Sequence, residues 1–186
     1  MLATSTVFIP TEYEDLRWAV IKLLEGVKRR PYVDTAPNPQ STIGVGFNIE
    51  GNTQLMDAVF NALGLVEVGD TDYRARLATA LIAPTTTVGL QSALDTIMLE
   101  RYNALPVDER VGQLQRFELP EGDAVMRDIF DLSVPSFETQ VTNWLGSSAL
   151  QNTPERLVLL SFAYNGLLLK SPKLKAAILA GDRAEA

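Results

Sequence analysis

Apolar residues recur along the chain with two different periods, and the change of period divides it. Leu16, Ala19, Val20, Leu23 and Leu24 repeat at the spacing of one helical face. Thr11, just after Pro10, stands at the N-cap place with Glu14 three residues on, the pattern of a capping box. Gly26 is placed to stop this helix, and Lys28, Arg29 and Arg30 to complement the negative end of its dipole. From Pro31 the alternation is strand-like: Tyr32–Thr35 and Ser41–Phe47, separated by Ala36-Pro37-Asn38-Pro39-Gln40, predict a β-hairpin. In its second strand Ile43, Val45 and Phe47 share one face, and Thr42, Gly44 and Gly46 the other.

After Asn52 the pattern returns to helix. Leu55, Val59, Ala62 and Leu63 form a stripe ended by Gly64; Tyr73, Leu77, Ala80 and Leu81 form another, closed before Pro84. A third runs from about Val88 to Leu105 with Leu90, Leu94, Ile97, Met98 and Tyr102 inward, and Val107–Asp123 is weaker. Ala124–Leu132, Ser136–Leu145 and Pro154–Leu168 complete the helical pattern, with Thr153-Pro154 a clear start. The expected class is α+β, a small β-hairpin lobe in front of a larger helical body. Trp18 and Trp144 fall within apolar stripes and are expected in the core. Gly69-Asp70-Thr71-Asp72 resembles the opening of a calcium loop but lacks the later positions, so Asp70 or Thr71 is read as a helix cap.

Composition narrows the chemistry. The 186 residues include no His and no Cys. A Ser-His-Asp triad, a thiol nucleophile, a disulfide framework and a CxxC zinc site are all excluded. Proton transfer near neutral pH falls to carboxylates, Lys or Tyr. Sixteen basic against 23 acidic residues give a net charge of -7, which argues against nucleic acid as a partner. Met1 to Thr6 lack the basic start and apolar core of a signal peptide, and no apolar stretch approaches membrane-spanning length. The chain is therefore expected to be made soluble in the cytoplasm, without stable membrane insertion.

The candidate chemistry gathers at Glu25, Asp34 and Thr42. Glu25 ends the first helix, where the negative pole of the dipole disfavours a carboxylate and is expected to raise its pKa. Asp34 sits on the first strand and by alternation shares a face with Tyr32. Thr42 offers a hydroxyl on the face left bare by Gly44 and Gly46, which leaves room for a large ligand. Two carboxyls in different environments suit glycoside hydrolysis, one protonating the leaving oxygen and the other handling the water. A Glu at a helix end and an Asp near a turn are also ordinary solvated caps.

Leu24-Glu25-Gly26, then Tyr32-Val33-Asp34-Thr35, then Thr42-Ile43-Gly44-Val45-Gly46 resembles the active-site signature of the phage-type (T4-like) lysozymes, glycoside hydrolase family 24. Leu160–Gly166, with Ser171, Leu174 and Ala180-Gly181-Asp182, is similar to the family's C-terminal segment, and Phe130, Phe137, Val141 and Asn143 to the helix before it. The resemblance covers about 12–51 and 124–183. It implies a lysozyme-like fold and a muramidase that cleaves the β-1,4 bond between N-acetylmuramic acid and N-acetylglucosamine. Glu25 would be the general acid, Asp34 the second carboxylate, and Thr42 would position the water. Tyr32, Gly44 and Asn165 would bind glycan; Asn165 reads equally as a helix Asn bonded to backbone. No metal or cofactor is implied, and the family is described as inverting. A lytic transglycosylase and a catalytically silent glycan-binding or tail module are the rival readings.

The chain departs from the family in several places. Phe47-Asn48 stands where a His is common, the Pro37–Pro39 turn is longer, and the middle is enlarged. The chain stops where relatives continue, so it is expected to be one lysozyme-like domain, 1–186, cut from a longer protein. It would comprise an active-site lobe over about 12–52, a helical middle over about 53–123 and a C-terminal lobe over about 124–186. The partners implied are bacterial peptidoglycan and an immunity or inhibitor protein, with the chain itself a monomer. Delivery to periplasm or cell wall would come by holin, phage tail or secretion system, as an endolysin or as an antibacterial effector or bacteriocin domain. Lys28-Arg29-Arg30 is an ordinary solvated helix end, or a cationic patch that offsets the acidic net charge before an anionic glycan.

Overall fold

The computed structural model describes residues 6–35, 38–146 and 150–180. Most of them are helical, with one small three-stranded antiparallel sheet, so the class is α+β. The chain forms two compact units, Met1–Leu24 with Ser133–Ala186, and Glu25–Leu132. Residues 53–123, set apart by pattern as an enlarged middle, lie in the same unit as the sheet. Among the described residues no helix is long and apolar enough to cross a membrane.

Helix α1, Pro10–Glu25, begins two residues earlier than its capping pattern predicts. Pro10 takes the first helical position, where its missing N–H costs nothing, and the Glu12 carboxylate accepts the Ile9 N–H at 3.4 Å. The inward face also differs. Tyr13, Trp18 and Ile21 are buried, whereas Leu23 and Leu24 are 83% and 57% exposed. The two aromatics offer more apolar area than Ala19 and Leu23, and they decide which side turns in.

Gly26, at φ +68°, ends α1 as expected. The basic run does not continue the helix end: Lys28, Arg29 and Arg30 open strand β1, Lys28–Val33. Strand β2, Ser41–Gly44, pairs antiparallel with β1, and the chain then folds back at once into β3, Phe47–Asn48. The single strand predicted over Ser41–Phe47 is therefore a second tight hairpin. Gly44 and Gly46, at φ +70° and +88°, make the reversal, and Phe47 returns opposite Ile43. A Cβ on Gly44 would lie 2.5 Å from carbons of the Phe47 ring. Gly44→Ala is expected to cost about 2 kcal/mol from the left-handed backbone alone, before the ring contact is counted. Chemical denaturation followed by circular dichroism checks this, and an unchanged midpoint would contradict it.

Helices α2 (Thr53–Ala62), α3 (Thr71–Leu81) and α4 (Thr87–Ala104) follow the predicted stripes closely. Asn52 caps α2 and Thr86 caps α4 through side-chain oxygens. Leu55, Val59, Leu77, Leu81, Leu90, Leu94, Ile97 and Met98 are buried, as is Arg101, one turn before the α4 end. Phe117 and Leu119, in the weakly patterned stretch after α4, are fully buried, and Phe117 meets Phe60 edge-on at 6.2 Å. The outer edge of β1 is covered rather than left open. The Val33 N–H donates to Thr87 Oγ1 at 3.0 Å, Gln91 Nε2 donates to the Pro31 carbonyl at 2.8 Å, and the Leu119 N–H donates to the Arg29 carbonyl.

Helix α5, Asp123–Leu145, is continuous where two segments were predicted. Pro135 removes one backbone hydrogen bond, but Phe130, Val134 and Val141 on either side are fully buried, and their packing carries the helix through. Helix α6, Pro154–Tyr164, starts as predicted with Thr153 as its cap and stops four residues short of Leu168. A further helix, α7 (Pro172–Ala180), was not foreseen. Trp144, Val141, Leu145, Leu159, Ala163 and Leu168 form the core of this unit, so Trp144 and Trp18 are core residues as expected. A buried polar cluster joins its helices: Tyr13 donates to Glu138 at 2.9 Å, and Arg156 Nε donates to the same carboxylate at 2.7 Å. Burial first, and then the Glu138 charge, push the Tyr13 phenol well above its ordinary range.

Candidate functional site

Glu25 is the last residue of α1 and is half-buried; Gly26 turns the chain so that β1 starts beside it. Across the sheet, Tyr32, Thr42 and Asn48 stand in one row, with Tyr32 opposite Thr42 and Thr42 opposite Asn48. The phenol of Tyr32 is raised above its ordinary value of 10.0, by burial first and then by the charges of Glu25 and Asp34. Lys28 Nζ sits over the Tyr32 ring, 3.9 Å from its centroid.

Asp34 is held by its own turn. Its N–H donates to the Gln40 carbonyl, and its Oδ1 accepts the Gln40 N–H, each at 3.1 Å. The turn between them includes Ala36 and Pro37, so part of the longer turn expected over Pro37–Pro39 lies outside the described residues. Thr42 departs from expectation. It is 4% exposed rather than set on an open face, because Tyr32 and Asn48 flank it across the sheet. Its hydroxyl donates to the Gln40 carbonyl at 3.4 Å. Gly44 is corrected in the same way: the space a side chain would need there is filled by the Phe47 ring, not left for a ligand.

Gln40 and Asn48 were missed by the sequence reading. The Gln40 carbonyl receives both the Asp34 N–H and the Thr42 hydroxyl, and its side-chain oxygen receives the Asn48 amide. Gln40 thus ties the second carboxylate, the hydroxyl and the third strand together. No local pattern marks this role, because two of these bonds use the Gln40 backbone carbonyl and form only once the strands pair.

The expected cationic patch is largely neutralised where it stands. Arg29 pairs with Glu118 at 3.2 Å and with Glu121 at 3.1 Å, and Arg30 pairs with Asp95 at 2.5 Å. Asn165, in the other unit, is exposed and donates to the Ser161 carbonyl at 3.1 Å, which is the backbone-bonded of its two readings. Among the described residues no group of three or more acidic side chains gathers as a metal site, and the Asp70 carboxylate is paired with Arg101.

Chemically, this region offers two carboxyl groups that act electrostatically on one phenol, with hydrogen bonds to Gln40 that fix the orientation of Asp34. Glu25→Gln and Asp34→Asn are each expected to lower the Tyr32 pKa toward 10.0, the first more than the second, with burial keeping part of the shift. A pH titration of ring-labelled tyrosine by NMR reads this, and a Tyr32 titration unmoved by either change would contradict the grouping. Compared with family models, curated proteins and solved structures, the chain matches none.

Proposed function

We propose that the chain is a peptidoglycan hydrolase of the muramidase type, cleaving the β-1,4 bond between N-acetylmuramic acid and N-acetylglucosamine. The observation that carries the reading is the order E-G, Y-x-D-T, T-I-G-x-G that resembles family 24, in which the charges of Glu25 and Asp34 both help to raise the Tyr32 phenol. Glu25 protonates the departing glycosidic oxygen, so the sugar leaves as a neutral alcohol. Asp34, with its orientation fixed by Gln40, takes the proton of the attacking water or balances the oxocarbenium-like charge. Thr42 is nearly enclosed, and its hydroxyl acts on this turn through the Gln40 carbonyl it shares with Asp34. Tyr32 supplies a hydroxyl that burial and the charges of both carboxylates keep protonated. The biological setting that follows is bacterial wall lysis, by a phage endolysin or a delivered antibacterial effector domain, with an immunity or inhibitor protein as the expected antagonist.

Digestion of purified peptidoglycan with analysis of product ends tests the reading. New reducing ends at N-acetylmuramic acid are expected. Anhydro-sugar ends would instead mean a transglycosylase, and no new ends a silent glycan-binding or tail module.

A further inference from the structure

We propose that a second site, on the far side of β1 from β2, binds the terminal carboxylate of a short peptide chain carrying small apolar side chains. A groove of about 520 Å³ runs there between α4 and the stretch after it, and Arg30, Val88, Ser92, Leu99, Gln115 and Arg116 are among its walls. Its charge sets it apart from an acidic protein of net charge -7. Arg30 is paired with Asp95, which cancels. Arg116 is exposed, and among the described residues its guanidinium has no acidic partner. One cation is left over, which fits a monoanion better than a phosphate dianion.

The remaining walls describe the rest of the ligand. Val88 is 78% and Leu99 45% exposed, offering apolar contact for methyl-sized groups. Ser92 and Gln115 hold hydroxyl and amide groups for a peptide backbone. A carboxylate, amide links and short alkyl groups together define a small peptide terminus. The inference does not rest on the hydrolase reading, because the test measures binding and needs no turnover.

The probe is N-acetyl-alanyl-alanine, titrated into the labelled protein and followed by amide NMR. Shifts are expected to concentrate at Ser92, Gln115 and Arg116. Converting the probe to its C-terminal amide, or the protein to Arg116→Gln, is expected to weaken binding at least about tenfold, the loss of one charge-assisted contact. The amide probe leaves the protein untouched, so it separates lost binding from lost folding. Absence of saturable shifts, equal affinity for acid and amide, or inorganic phosphate binding the same residues more tightly would each overturn the proposal.

Discussion

Replacing Arg101 by Met is expected to destabilise the sheet-containing unit by about 3–5 kcal/mol, the usual cost of stranding one member of a buried ion pair. Arg101 and Asp70 are 2% and 4% exposed, and the guanidinium meets both carboxylate oxygens, at 2.5 and 3.1 Å. It also donates to Gln113 at 2.8 Å and to the Gly64 carbonyl at 3.0 Å. A single side chain therefore joins α4, the turn after α2, the start of α3 and the stretch after α4. The double variant Arg101→Met with Asp70→Asn removes the stranded charge and should recover part of the loss. Both tryptophans, Trp18 and Trp144, belong to the other unit, so their fluorescence does not report this change. Amide hydrogen exchange in α3 and α4 does, and a single variant no less protected than wild type would refute the account.

The same pair sets an acid limit. Burial alone would raise the Asp70 pKa, but hydrogen bonds from Arg101 and from the Glu67 N–H, with the charges of Arg101 and Arg74, outweigh it and hold the carboxyl below 3.8. A depressed folded pKa contributes stability above the unfolded value, near 3.9, and loses it as pH falls through the folded one. Stability is therefore expected to drop below about pH 4, and less steeply in Asp70→Asn.

Loss of wall-degrading activity in Glu25→Gln is the second large effect expected. Gln keeps the size of Glu25 and its place at the end of α1 but has no proton to give a leaving oxygen. A positioned general acid contributes about a hundred- to ten-thousand-fold to rate, and a loss of that size is expected in turnover with wall binding retained. Asp34→Asn should also reduce turnover, whereas Gln40→Ala should act more weakly, since the backbone groups that hold Asp34 survive it.

How much of this was legible depends on the kind of signal. Helices closed by local chemistry were read well, as at Gly26, Asn52 and Thr153-Pro154, because a cap or a left-handed glycine needs only its neighbours. The α1 stripe was misread because its burial is decided by what Tyr13 and Trp18 meet, not by spacing. Ala124–Leu132 and Ser136–Leu145 read as separate segments, and the packing of Phe130, Val134 and Val141 carries one helix through Pro135 between them. The second hairpin was hidden in T-I-G-x-G: taking the two glycines as a bare face obscured their role as a turn. Arg101 and Glu138 sit among apolar helical positions, and nothing local marks a charge that will be buried against a distant partner. At the candidate site the carboxyls and Tyr32 were legible as a motif, but the Gln40 hub was not, because its bonds depend on the strand pairing.

Side-by-side clearing of purified bacterial walls by wild type and Glu25→Gln, at equal folded concentration verified by circular dichroism, bears most directly on the hydrolase assignment. The wild type is expected to lower turbidity and release reducing ends, and the variant to do neither. Clearing by both proteins to the same extent, or by neither, would contradict it.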